Sequence, residues 1–268
     1  MADAPKKKVV RVDETPAEKA ADAAVASGAA TGATWTPTPE AKKQATTFRI
    51  IAIVLWLLAI GTEAFAIFWV LKQNPINMVL LIILLVVIAA LAIGGSLLWK
   101  QSNRLDPASK SDKVRFFVQN QLGVIISAIA FIPLIILIFT NKNMSGQQKA
   151  IAGIIAIVLL GASGTIGASV NPPSTEQYTS ETQTVTDATG GTNLVYWTKE
   201  GKVFHLCAAA SAVNLQSKDN QIYSGTVAEA HAAGKSRLTL QVEQERKQCG
   251  FEPTSGATAP AVSATPTP

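Results

Sequence analysis

Four apolar runs, at residues 48–71, 77–99, 116–140 and 150–170, decide most of what this chain can fold into. Crossing about 30 Å of hydrocarbon takes roughly 20 residues of α-helix at 1.5 Å per residue, and each run is that long. In lipid the backbone must satisfy its own hydrogen bonds, so runs of this length are read as spanning helices. Basic and aromatic residues stand where a lipid boundary would put them. Arg49 opens the first run, Trp69 and Lys72 end it, Trp99 and Lys100 close the second, and Arg115 opens the third. Pro133 should bend the third helix, because its ring removes one hydrogen bond. Short loops at 72–76, with Pro75, and 141–149, with Gly146, predict two antiparallel helical hairpins. The middle loop, 100–114, is longer, more charged and carries Asp106-Pro107.

The rest of the chain is of another kind. Of 268 residues 48% are hydrophobic and only 15% charged, and the apolar excess is concentrated in 48–170. Residues 1–47 hold Lys6 to Lys8, an Ala-rich stretch and a Thr-Pro repeat, with too few apolar side chains to offset the entropy of ordering. They read as a disordered tail with a transient helix around 17–26. Residues 171–193 are rich in Ser, Thr and Gln and read as a linker. The β-rich runs at 194–198 and 202–206 predict a hairpin about Lys199-Glu200-Gly201. Thr226 and Gly234 bracket a short helix, and 238–248 is a second helix or a strand running into one. Tyr196, Phe204, Leu215, Ile222 and Val227 would form a small core. The expected fold is an all-α transmembrane bundle of four helices, a small α+β module at 194–251, and disordered termini at 1–47 and 252–268.

A net charge of +5 raises the question of nucleic acid, but no basic stripe interleaved with aromatics exists, so none is expected. Lys6 to Lys8 are followed by charged and Ala/Gly-rich sequence, which does not read as a cleavable signal peptide. Eight Lys and Arg precede or include Arg49 and five occupy the middle loop with its flanks, against Lys72 alone and Lys142 with Lys149 in the other two loops. That bias predicts a cell-membrane protein with both termini cytoplasmic. In such a compartment Cys207 and Cys249 should be reduced thiols.

Glu63 is the only acid inside a predicted span, about 4 Å from its midplane at 1.5 Å per residue. With no cation at that depth it is expected in its protonated form, as a hydrogen-bonding link between helices or as a proton- or cation-coupling group. Ser127 and Ser163 are the nearest polar side chains by depth. Gly94-Gly95-Ser96 and the run from Gly161 to Ser169 are small residues suited to close helix packing, within one bundle or between copies.

Ser96-Leu-Leu-Trp-Lys100, Asn103-Arg-Leu-Asp-Pro-Ala-Ser109, Phe116-Phe-Val-Gln-Asn-Gln-Leu122 and Val195-Tyr-Trp-Thr-Lys-Glu-Gly-Lys202 together resemble an uncharacterised group of actinobacterial four-helix membrane proteins. The resemblance runs from Phe48 to about Cys249 and implies a topology without a reaction. In that group the C-terminal piece is similar to a small Cys/His metal-binding module. This chain keeps Phe204-His205 and Gly225-Thr-Val-Ala-Glu-Ala230 but lacks the closing Cys-x-x-Cys. A zinc site would need His205, Cys207, His231 and Cys249 to converge. The other reading is a module without a cofactor, held by its apolar core.

No catalytic triad, metalloprotease helix or dinucleotide fingerprint is present, so an enzyme is not expected. The leading reading is a membrane-anchored accessory protein whose partners are the bilayer, a protein bound through Tyr196, Trp197 and Tyr223 of the C-terminal module, and a second copy of itself. The alternatives are a small transporter or channel component using Glu63, and a metal or redox sensor using the Cys and His residues.

Overall fold

A computed structural model describes residues 8–12, 34–215 and 219–251, which fall into two compact units divided between Tyr178 and Thr179. The transient helix expected near 17–26 and the tail at 252–268 lie outside the described residues.

The larger unit holds four helices long and apolar enough to cross a membrane: α1 (Pro39–Phe68), α2 (Met78–Leu105), α3 (Lys113–Thr140) and α4 (Gly146–Gly167). A 3-10 turn, Val70–Lys72, follows α1. Each of the four long helices begins at a side-chain cap. Thr38 accepts from the Ala41 N–H at 3.2 Å, Asn77 from Leu80 at 3.0 Å and Asp112 from Arg115 at 3.0 Å. Ser145 and Gln148 form a reciprocal capping box at α4. The caps explain why helix and apolar run differ in extent. Hydropathy marks where lipid would begin, but the hydrogen-bonded spiral continues into water until a cap stops it. So α1 starts at Pro39, inside the stretch read as a disordered tail, and α2 runs on to Leu105, into the expected middle loop.

α1 packs along α2 and α3 along α4, as the two hairpins require, and α2 also touches α3 and α4. Ala59, Ala66, Leu81, Leu85, Ile88, Phe131, Leu134, Ile138, Ala152 and Ala156 fill the interior. Large apolar side chains also cover the outside: Leu57 is 63% exposed, Val79 70%, Ile136 56% and Val158 61%. An apolar exterior around a filled apolar interior is the pattern of a bundle made for lipid. Two glycines set helix spacing. A Cβ on Gly167 would lie 2.7 Å from the carbonyl carbon of Gly123, and a Cβ on Gly95 2.5 Å from Nε1 of Trp56. Gly161 and Gly164 have nothing within 4 Å, so of the three glycines in that small-residue run only Gly167 packs against another helix within this chain.

The smaller unit contains two sheets. β1 (Lys8–Arg11), β2 (Val195–Trp197) and β4 (Gln221–Gly225) form one, in the order β1-β4-β2; β3 (Val203–Phe204) and β5 (Arg237–Leu238) pair in parallel as the other. The helices are α5 (Thr175–Thr189), which the unit division cuts, α6 (Ser211–Leu215), α7 (Val227–Ala232) and α8 (Val242–Cys249). α7 starts at the Thr226–Glu229 capping box, and α8 ends at Gly250 with φ 70°. One apolar cluster joins Val185, Ala188, Val195, Trp197, Phe204, Leu206, Val227, Ala230 and Leu238; a second joins Ala210, Val213 and Ile222, with Tyr196 at its margin. The side chain of Leu215 lies outside the described ones.

Three expectations are corrected here. The supposed linker is mostly helix: Tyr178, Thr182, Val185 and Ala188 fall at helical spacing and are buried, threonine standing where an apolar residue would have shown the period. The hairpin shrinks to a single bridge, Tyr196 with His205, because β2 takes β4 as its antiparallel neighbour while β3 turns to β5. Long-range pairing overrides the local pattern. Finally, Lys8–Arg11 is a strand, not a disordered segment, parallel to β4 in the register Lys8 opposite Gln221 and Arg11 opposite Ser224.

Candidate functional site

Two cross-links join the chain just after β3 to α8. Cys207 and Cys249 form a disulfide, with Cα atoms 6.0 Å apart, and His205 Nδ1 stands 2.6 Å from Glu245 Oε1. The spacings explain why both fit. Glu245 and Cys249 are four apart on a helix and share a face, which meets His205 and Cys207 on either side of the bend at Leu206. Glu245 is 2% exposed, and its second oxygen accepts the Leu206 N–H at 3.0 Å. The expectation of reduced thiols is therefore corrected: residues 42 apart in sequence are bonded where the His205–Glu245 pair also joins this stretch to α8.

His231 belongs to a different neighbourhood. Its Nδ1 faces the Lys235 carbonyl at 3.0 Å and its Nε2 faces Glu181 Oε2 at 2.5 Å, with the Phe204 ring edge-on beside it. A carbonyl only accepts, so Nδ1 is the donor in that contact. The four residues considered as a zinc set are thus divided: the sulfurs are bonded to each other and each imidazole meets its own carboxylate. Among the described residues no group of three or more His, Cys, Asp or Glu is placed to hold a metal ion.

Of the aromatics, Trp197 is 2% exposed and lies in the core, so the expectation that it offers a contact surface is corrected; an alternating strand sends it inward. Tyr196 and Tyr223 remain half-buried. The Tyr223 hydroxyl donates to Asp219 at 3.1 Å, and that hydrogen bond, with a smaller contribution from burial, raises its pKa above the ordinary tyrosine value. The sequence reading missed Lys235, which is 5% exposed and donates through Nζ to the carbonyls of Thr198, Lys199 and Gly201 at 2.7, 2.9 and 2.7 Å. It also missed Glu181 and Glu245, whose polar neighbours in sequence suggest a solvated surface. The i, i+4 match of Glu245 with Cys249 was the available signal.

In the larger unit Glu63 is 4% exposed on the face of α1 that buries Ala59 and Ala66, and its Oε1 has no hydrogen-bond partner. Ser127 and Ser163 do not serve it: each donates within its own helix, to Gly123 and Leu160. The backbone group that bears on this carboxyl belongs to Leu134, directly after Pro133.

A polar cluster closes the end of the bundle near the middle loop. Asp106 Oδ2 lies 2.8 Å from Arg49 Nη1 and 3.1 Å from Arg115 Nη2, and Arg49 Nη2 also donates to the Asp106 carbonyl at 3.0 Å. The Gln119 carbonyl accepts from Trp99 Nε1 at 2.9 Å and from Asn103. Glu176 takes the Ser109 hydroxyl and the Lys110 N–H, the latter at 3.0 Å. Burial acts to raise the Glu176 pKa, but these hydrogen bonds outweigh it and hold the carboxyl down at about 2. Arg49 and Arg115, expected as boundary residues, are joined through one carboxylate.

The larger unit defines a class only, a bundle of four helices that could cross a membrane, carried on a chain with a small strand-containing unit. No protein-family model matches the chain, and neither a curated protein nor a solved structure matches it at a significant level.

Proposed function

We propose that this chain is a multi-pass protein of the cell membrane with a non-enzymatic accessory role, in which the helices anchor it in the bilayer and the C-terminal unit engages a protein partner. The observation that carries this reading is how much chemistry fixes the shape of so small a unit. One covalent bond, two buried imidazole–carboxylate pairs and an ammonium on three carbonyls all restrain it. A surface held in one shape loses less entropy on binding. Tyr196 and Tyr223, half-exposed, supply aromatic contact area. Deleting residues 194–268 should spare membrane insertion and abolish recovery of a crosslinked partner from native membranes; unchanged recovery would end the reading.

Both termini share the cytoplasmic side in this proposal. The bias of Lys and Arg supports that side, and the pairing of β1 with β4 supports a shared compartment. Disulfides in a reducing cytosol are mostly transient or redox-sensing. The Cys207–Cys249 bond therefore favours a second reading, in which the unit responds to the thiol state of the cell. Thiol trapping should find the pair oxidised after an oxidant pulse and free after a dithiol is added. A bond unchanged by either treatment in intact cells would remove the sensor reading.

The buried Oε1 of Glu63 favours a third, proton- or cation-coupling role. Flux through reconstituted vesicles that is lost in Glu63→Gln would support it, and equal flux in the two would exclude it.

A further inference from the structure

We propose that the seam where α1 meets α3, at the level of Asp106, binds the phosphate of an anionic phospholipid, held by Arg49 and Arg115 and flanked by Lys42. The inference rests on reading the bundle as membrane-spanning, and it names a lipid class for one place on that bundle. α1 and α3 are in contact, and one guanidinium from each reaches the single Asp106 carboxylate, at 2.8 and 3.1 Å. Two cations on one anion leave one positive charge over, which a phosphodiester matches. Asp112 adjoins in sequence, but its Oδ1 accepts the Arg115 backbone N–H. Both guanidiniums can be reached, with side-chain exposure of 22% for Arg49 and 49% for Arg115. Arg115 meets Asp106 through Nη2 alone, so its Nη1 and Nε remain for a ligand. Asp106 also fixes both guanidiniums in place beforehand, which lowers the ordering cost of binding.

What surrounds the two arginines selects a lipid over a free phosphate. Lys42 precedes Arg49 by two helical turns, so it shares that face of α1 about 10 Å nearer the helix start. It is exposed, and among the described residues its ammonium meets no carboxylate. In the opposite direction Ile53 follows Arg49 by one turn and Val118 follows Arg115 by one turn, 45% and 41% exposed. Both helices run from their arginines towards the middle of the bundle, so these apolar side chains lie where an acyl chain would leave the phosphate. A zwitterionic headgroup would bring a second cation against Lys42, so the charge pattern favours a lipid of net negative charge. In the proposed orientation this end of the bundle faces the cytoplasmic leaflet, whose anionic lipids attract basic residues beside spanning helices.

The test uses the full-length protein in neutral detergent, to which photoactivatable phosphatidylglycerol or phosphatidylcholine of equal acyl length is added in turn. Phosphatidylglycerol should label the segments 49–57 and 115–121 above the rest of the bundle, and phosphatidylcholine should show no such focus. Arg115→Gln should reduce the focused labelling about fivefold, the scale of one basic residue at an anionic surface. Lys149→Gln, the same change of charge at the other end of the bundle, should leave it unchanged. Arg115→Gln keeps Asp106 paired with Arg49, and a single symmetric peak in size exclusion checks that the fold survives. Lys42→Gln, which lies outside the Asp106 cluster, should lower the labelling without touching that cluster. Inorganic phosphate equimolar with the lipid should not displace it; full displacement would assign the site to a soluble anion and overturn the proposal. Equal labelling by the two lipids, or focused labelling unchanged in both Arg115→Gln and Lys42→Gln, would also overturn it while leaving the membrane reading in place. Absence of labelling by either lipid would remove the membrane reading as well.

Discussion

At Asp106 one carboxylate answers two guanidinium groups that arrive from different helices, with side-chain exposure of only 12%. Asp106→Ala would leave Arg49 and Arg115 facing each other without their counter-charge. The expected loss is about 2–3 kcal/mol, the scale of a partly buried charged hydrogen-bond set, read as a lowered unfolding midpoint in detergent. Glu176 gives a pH dependence whose sign is fixed. Its folded pKa of about 2 lies below the ordinary 4.5, so its stabilising contribution is complete above 4.5 and is lost as pH falls from there towards 2. In Glu176→Gln the stability of the solubilised protein should change less steeply across that window than in the parent; equal slopes would mean the Ser109 and Lys110 contacts contribute nothing. Glu63→Gln should leave folding and insertion intact, because glutamine keeps the size and hydrogen-bonding shape of the protonated acid, while Glu63→Lys should prevent assembly. Fluorescence-detected size exclusion of both variants separates these outcomes. Glu63 was legible in the sequence because an acid in an apolar run stands out. Asp106 was not, since of its two partners only Arg115 is near in sequence and Arg49 arrives from a helix that starts far upstream.

Elements divide in the same way. The four long helices were legible because lipid imposes one length and one composition on whatever crosses it. The small unit was legible only where a local device exists, as at the Thr226–Glu229 box of α7. Its sheet order rests on residues that never meet in sequence, and α5 hid behind threonines that bury as apolar residues do. Closing the Cys207–Cys249 loop restricts the unfolded chain by about 4 kcal/mol in the chain-entropy account. Cys207→Ser with Cys249→Ser should therefore lower the stability of the C-terminal unit by roughly 2–4 kcal/mol, measured by proteolysis of the full-length protein in detergent. The helix contact at Gly123 and Gly167 gives a sharper contrast: Gly167→Val should cost on the order of 1–3 kcal/mol or more by forcing α3 and α4 apart, whereas Gly161→Ala, facing open space, should be neutral.

For the whole molecule, the proposed orientation predicts that reporters fused ahead of Met1 and after Pro268 give the same, cytoplasmic, signal; an active external reporter at either end would overturn it. The pairing of β1 with β4 adds a constraint in time. Lys8 and Gln221 are 213 residues apart, and at about 5–20 residues per second the ribosome needs some 10–40 s to make the second after the first. Throughout that interval the strand is made and its place is not. The earlier-made strand must wait for the later-made one before the order β1-β4-β2 can close.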